Sequence, residues 1–262
     1  MGWGVKIALL GLGGYGAIVL TLALAQSALI FPRGMVAAGP ALPMAQALRL
    51  QTPDSVTLHG YQIDGTDPRA PVLLGFSGNA TDAAVTALFL HQIAPAHGVV
   101  VYHYRGYGPS TGRPSARGLI ADAQVIFDSL DAPQGVISVG FSIGSGIAAD
   151  LAAARPLRGL VLVTPFDSLA RVAQDTLPFV PVRLFFRHPV ETLDALRGST
   201  TPAHIFIATR DEVIPPARAR ALLDGLDRAG RAVTTHQIGT GHNDIYNSAK
   251  FQRTLRAALR GL

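Results

Sequence analysis

The stretch Gly135-Val136-Ile137-Ser138-Val139-Gly140-Phe141-Ser142-Ile143-Gly144-Ser145-Gly146-Ile147-Ala148-Ala149-Asp150-Leu151 decides how the rest of the chain is read. Its first part, Gly135–Phe141, is a short apolar run rich in β-branched residues, the pattern of a buried strand. Its last part, Ile147–Leu151, is helical in character. Between them stands Gly140-Phe141-Ser142-Ile143-Gly144, a G-x-S-x-G sequence at a strand-to-helix turn. Small flanking residues let the serine backbone be strained there. Such a turn lifts the hydroxyl above the sheet edge and aims a helix N-terminus at any oxyanion that develops beside it. A glycine-rich turn without chemistry could carry the same letters, so the surroundings have to decide.

Working outward, short apolar runs bounded by glycine and proline recur at Ala70–Phe76, Val99–Tyr104, Leu160–Thr164, His204–Ala208 and Ala232–Ile238. Val56–Ile63 alternates loosely, as an antiparallel first strand would. Helical rhythm fills the intervals: Thr81–Ala96, Arg117–Leu130, Ile143–Ala154, Pro216–Arg228 and Ile245–Leu259. Strands alternating with helices predict parallel pairing through right-handed crossovers, hence an α/β sheet covered by helices on both faces. Residues 165–202 break the alternation. They contain Pro178, Pro181 and Pro189 with Leu177, Phe179, Phe185 and Phe186, the content of a short cap over the strand ends; a packed surface excursion is the alternative.

A serine nucleophile needs a base and an acid to orient it. His242, in Gly239-Thr240-Gly241-His242-Asn243-Asp244, follows the last strand run and precedes the last helix, in a loop whose glycines permit a close approach. The other histidines, such as His204 in a strand run and His91 and His97 near a helix, read as structural. In the order Ser, Asp/Glu, His, the acid is expected between the two, at a strand end. Asp211 in Ala208-Thr209-Arg210-Asp211-Glu212-Val213-Ile214-Pro215 satisfies this, with Asp167 as the rival and Glu212 behind it. Two backbone donors are expected to face the oxyanion: the amide of Ile143 and that of Asn79 in Phe76-Ser77-Gly78-Asn79-Ala80. Asn79-Ala80-Thr81 also spells a glycosylation sequon, read as coincidence because a glycan there would block that site.

The 262 residues are 48% hydrophobic, enough for one sizeable core, and carry a net charge of +5. The arginines are scattered, and Arg253, Arg256 and Arg260 read as a solvated helix face rather than a nucleic-acid patch. With no cysteine, a thiol nucleophile, a thiolate metal site and disulfides are excluded. Residues 7–25 hold no charged side chain, and the apolar run continues to Phe31 with only Gln26 and Ser27 interrupting. At 1.5 Å per residue, 7–25 would rise about 28 Å, close to a bilayer's hydrocarbon thickness. Residues 1–31 are therefore a membrane anchor or a signal segment, Ala23-Leu24-Ala25 having the form of a cleavage site. The length favours a retained anchor. Lys6 favours an inside N-terminus and a globular domain outside the cytoplasm, although Arg33 and Arg49 follow on the other side. Arg33–Ala47 reads as a connector to the domain, which spans residues 32–262. Gly11-Leu12-Gly13-Gly14-Tyr15-Gly16 matches a dinucleotide fingerprint in letters, but lies within the apolar segment with no strand before it.

Together with Tyr104-Arg105-Gly106-Tyr107-Gly108-Pro109-Ser110-Thr111-Gly112 and Pro165-Phe166-Asp167-Ser168-Leu169, these motifs resemble the α/β-hydrolase superfamily, especially its membrane-anchored group related to alpha/beta hydrolase domain-containing proteins. The resemblance runs from about Ala28 to the C-terminus. One departure is Ser77, where relatives usually have histidine. The resemblance implies an α/β-hydrolase fold and hydrolysis of an ester or thioester, with a small acyl ester or lipid-like molecule as substrate and no cofactor or metal. Ser142, Asp211 and His242 would act as triad, with Asn79 and Ile143 as oxyanion donors. A peptidase or amidase on the same triad, or a membrane-tethered binding module without turnover, are the other readings.

Overall fold

The computed structural model describes residues 2–262 and opens on a long helix, α1 (Trp3–Ile30). A 3-10 turn at Arg33–Met35 leads to β1 (Gln46–Gln51), β2 (Thr57–Ile63) and β3 (Val72–Phe76). Then come α2 (Ala83–Ile93), β4 (Val99–Tyr102), α3 (Ala116–Asp128), β5 (Val136–Phe141), α4 (Ile143–Ala154) and β6 (Gly159–Val163). The cap interval holds α5 (Leu169–Thr176), α6 (Val182–Phe185) and α7 (Thr192–Arg197), and the chain closes with β7 (Ala203–Ala208), α8 (Pro216–Arg228), β8 (Thr234–Ile238) and α9 (Ala249–Gly261).

The eight strands form one sheet in the order β1-β2-β4-β3-β5-β6-β7-β8. β1, β2 and β4 pair antiparallel, and every pairing from β4 through β3 to β8 is parallel. In β5 every residue is buried, as expected of a central strand covered on both faces, and that is why it reads as an apolar run interrupted only by Ser138. Leu90 and Ile93 of α2 and Phe251, Leu255 and Leu259 of α9 pack on one face. Leu119 and Ile126 of α3, Ile147 of α4 and Leu222 and Leu226 of α8 pack on the other. The order reverses at β3, which sends its crossover to β4 on one side and has β5 on the other. The strand ends beside such a switch point form the crevice where open α/β sheets bind ligands.

Helix starts follow local chemistry. Asp82 accepts from the Ala84 amide at 2.8 Å and Ser115 from the Gly118 amide at 3.1 Å, each satisfying an orphan donor of the first turn. The expected last helix from Ile245 divides into a 3-10 turn at Asp244–Asn247 and α9, because Ser248 caps α9 by accepting from the Phe251 amide.

Two readings of the sequence are corrected. The connector ends earlier than Ala47, since β1 begins at Gln46; this edge strand is largely exposed, and its polar Gln46, Arg49 and Gln51 mask the alternation of Leu48 and Leu50. The interval 165–202 is also not uniform. α7 packs on α4 and α8, with Leu196 fully buried in the main core, and that burial alone contributes about 2 kcal/mol to its docking. Within the same interval α5 and α6 pack on one another.

Candidate active site

β5 ends at Phe141 and α4 starts at Ile143, so Ser142 alone makes the turn, at φ 53° and ψ −119°. A non-glycine residue held there costs about 1–3 kcal/mol of backbone strain, which the surrounding packing sustains. The neighbouring glycines are required by contact: a Cβ on Gly140 would collide with the Gly144 carbonyl, and one on Gly144 with the Phe76 carbonyl. This close approach of α4 to the end of β3 brings the Ser77–Asn79 loop beside the serine.

His242 follows β8 in a loop pinned by the fully buried Ile245 and by Tyr246, whose ring packs against Phe89, Phe141 and Phe251. Its Nε2 lies 3.1 Å from Ser142 Oγ and its Nδ1 lies 2.7 Å from Asp211 Oδ2. Both the imidazole and the carboxylate are buried. Asp211 follows β7 and is fixed through its other oxygen, Oδ1, which accepts from the amides of Val213 at 2.9 Å and Ile214 at 2.7 Å. Burial, reinforced by the nearby Asp211, pushes the Tyr246 phenol well above its ordinary range, so it stays neutral behind the acid.

The other two carboxylates are placed elsewhere. Asp167 is buried, but its Oδ2 faces Arg171 at 3.2 Å and Arg218 at 3.5 Å. Glu212 accepts from the backbone amide of His242 at 3.1 Å and so holds the loop rather than the ring.

Asn79 and Ile143 line one cavity with Ser142, and among the described residues neither amide donates to another protein group. Ser77, the departure from the family pattern, turns its hydroxyl into the protein, 2.8 Å from Thr86 Oγ1. The Ser77 carbonyl accepts from Tyr104 Oη at 2.6 Å. Burial keeps that phenol far above its usual titration range and therefore a donor. Tyr104 in turn adjoins Arg105, whose guanidinium is held by Asp122 at 2.7 and 2.6 Å and by Asp54 at 2.8 Å. The Tyr104–Gly112 loop thus buttresses the Asn79 loop.

The cavity over Ser142 measures about 550 Å³ and is lined almost entirely by apolar side chains, among them Phe166, Leu169, Val172, Leu177 and Phe186. Its other wall had no counterpart in the sequence reading: Val19, Leu22, Ala23, Leu29 and Ile30 of α1. The signal for it lay in Gln26 and Ser27, two polar residues within an apolar run. Gln26 is bonded to Phe185 and Arg187, and Ser27 Oγ lies 2.8 Å from His188 Nε2. The end of α1 also meets the site directly, where Asn79 Nδ2 donates to the Ile30 carbonyl at 3.2 Å.

No family model matches the chain. It is 28% identical over 249 residues to an uncharacterized protein of Mycobacterium tuberculosis, a match covering 91% of this chain and 87% of that one. An uncharacterized membrane protein of Saccharomyces cerevisiae is 28% identical over 211 residues, 76% of this chain and 74% of its own. The human alpha/beta hydrolase domain-containing protein 17B is 31% identical over 187 residues, 68% of this chain and 62% of its own. Among solved structures, an alpha-beta hydrolase from Vibrio vulnificus superposes with a TM-score of 0.69 at 24% identity, covering 84% of this chain and 82% of the other. An esterase of Pyrococcus furiosus superposes with a TM-score of 0.71 at 17% identity, covering 86% of this chain and 97% of its own.

Proposed function

From a chain that belongs to the α/β-hydrolase superfamily, we propose a serine hydrolase that cleaves carboxylic ester or thioester bonds of apolar acyl groups. The observation that carries this reading is the continuous line from Ser142 Oγ through His242 to Asp211, at 3.1 and 2.7 Å, on a strained turn beside an apolar cavity.

The roles follow from the chemistry of each atom. A carboxylate only accepts, so Asp211 Oδ2 fixes the proton on His242 Nδ1 and leaves Nε2 free to accept from Ser142. Ser142 Oγ attacks the acyl carbonyl carbon while Nε2 takes the hydroxyl proton. The tetrahedral oxyanion forms beside the Ile143 and Asn79 amides and the N-terminus of α4. Collapse expels the alcohol or thiol, which leaves with the proton from Nε2, and the acyl group stays on Ser142. Water then repeats the sequence to release the acid. Nothing in these steps calls for a metal or cofactor.

The apolar lining of the cavity favours an acyl chain over a peptide, and the structural neighbour from Pyrococcus furiosus, an esterase, agrees in reaction class. Residues 7–30 would remain as a single membrane anchor, with the domain of residues 32–262 on the non-cytoplasmic side. The yeast relative, named as a membrane protein, supports the anchor. Hydrolysis of nitrophenyl esters across a series of acyl lengths tests the proposal. The rate is expected to rise with chain length in the wild type and to vanish in a folded Ser142→Ala protein. A preference for charged acyl groups, or full activity without Ser142, would refute it.

A further inference from the structure

The second half of α1 does not stand free of the domain. Tyr15 Oη donates to the Phe179 carbonyl at 2.8 Å, and Gln26 Nε2 donates to the Phe185 carbonyl at 3.1 Å. Gln26 Oε1 accepts from the Arg187 amide at 2.8 Å, and the Arg187 guanidinium donates to the Ala23 carbonyl at 2.7 Å. The cap tip, from Leu177 to Phe186, is thus strapped along α1 from Tyr15 to Gln26.

Length then constrains where the cap can lie. A helix needs about 30 Å, or about 20 residues, to cross the hydrocarbon layer. Lys6 bounds the charge-free stretch of α1 on one side, and from Ile7 to Tyr15 that stretch rises only about 12 Å. To cross, α1 must also place residues beyond Tyr15 in the hydrocarbon, and those residues carry the cap with them. Counted from Trp3, about 30 Å of rise ends near Ala23, the level at which Arg187 grips the helix. Trp3 then sits at the opposite boundary, where tryptophan is favoured, and Lys6 one turn further in can extend its ammonium to the headgroups. On this scale Tyr15 and its partner Phe179 lie about 12 Å below the Arg187 level, within one leaflet.

The exposed surface of the tip fits that position. Phe179 is 87% and Leu184 78% exposed, and residues 177–182 contain no charge. Arg183 lines a separate polar groove with Arg171 and Arg218. The Ser142 cavity lies between α1 on one side and α5–α6 on the other.

We propose that the cap tip is seated in the same leaflet as α1 and that the acyl substrate enters the Ser142 cavity from the lipid rather than from water. This rests on the anchor reading above and deepens it. The full chain in phosphatidylcholine vesicles, in a Trp3→Phe background, provides the test. Leu12→Trp reports on the anchor, Phe179→Trp on the cap and Val85→Trp, on α2, on the body of the domain, each read by quenching from lipids brominated on the acyl chain. Quenching of the first two to a similar extent, with the third unquenched, is expected. Quenching at position 12 alone would overturn the cap's immersion and leave the anchor standing; quenching at neither would remove both. A Phe179→Asp, Leu184→Asp variant provides the second arm, as neither side chain lines the cavity. Its rate on a long-chain ester held in vesicles is expected to fall about tenfold, since a carboxylate resists burial in hydrocarbon, while its rate on a soluble short ester is kept. Equal rates on the vesicle substrate would overturn loading from the lipid.

Discussion

Replacing Asp211 by asparagine changes one atom and inverts the proton inventory of the site. Asp211 Oδ1 accepts from the Val213 and Ile214 amides, and Oδ2 faces His242 Nδ1. An asparagine there must keep its carbonyl oxygen toward the two amides, because turning its NH₂ to them would set donor against donor. The NH₂ then faces His242 Nδ1, which can meet it only as an acceptor. The imidazole proton moves to Nε2, and Nε2 can no longer accept from Ser142. The expected loss is about three to four orders of magnitude in kcat, or roughly 4–5.5 kcal/mol of transition-state stabilisation, with KM little changed. Stopped-flow or plate-reader rates on a short activated ester measure this, alongside a melting curve to establish that the variant folds. Asp167→Asn is the control, since Asp167 faces Arg171 and Arg218 and not the imidazole. A larger loss from Asp167→Asn than from Asp211→Asn would refute the assignment of the acid.

Tyr104→Phe removes the donor that fixes the Ser77 carbonyl, and is expected to lower kcat about tenfold through the Asn79 loop with little change in KM; an unchanged kcat would detach that loop from the oxyanion. Asp122→Ala leaves a buried guanidinium with only its half-exposed partner Asp54, and denaturant unfolding is expected to show a loss of about 3–5 kcal/mol. Burial, with Glu191 nearby, raises the Asp150 carboxyl to about 6. Its folded-state value thus lies above its unfolded one, so stability falls as pH rises from about 4 to 6. Asp150→Asn is then expected to stabilise the protein by about 1–2 kcal/mol above pH 6 after solvent screening, and not at pH 4; thermal melts at the two pH values check this.

The parallel half of the sheet was legible because buried strands and amphipathic helices leave periodic marks. β5 and α4 meet at Ser142 as their letters imply, and α8 follows its tandem prolines. The strand ends bearing Asp211 and His242 were equally readable, since each breaks an apolar run with a short polar loop. The edge strand β1 was hidden by its exposure. α7 left no mark of its own because its six residues are too few to display a period, although Leu196 is a core residue. The α1 wall was invisible for another reason. Apolar residues facing lipid and apolar residues lining a cavity look alike in sequence, and only Gln26 and Ser27 betrayed a polar partner. The buttress from Tyr104 to the Ser77 carbonyl depends on a long-range contact that no local pattern encodes.

The central claim is that Ser142 is an activated nucleophile, and covalent capture tests it most directly. The full chain, incubated with a fluorophosphonate ester and digested, is analysed by tandem mass spectrometry. A single phosphonyl adduct on the peptide containing Ser142 is predicted, absent in Ser142→Ala and formed far more slowly in His242→Ala. An adduct on a different serine, or undiminished labelling of a folded Ser142→Ala protein, would contradict the account.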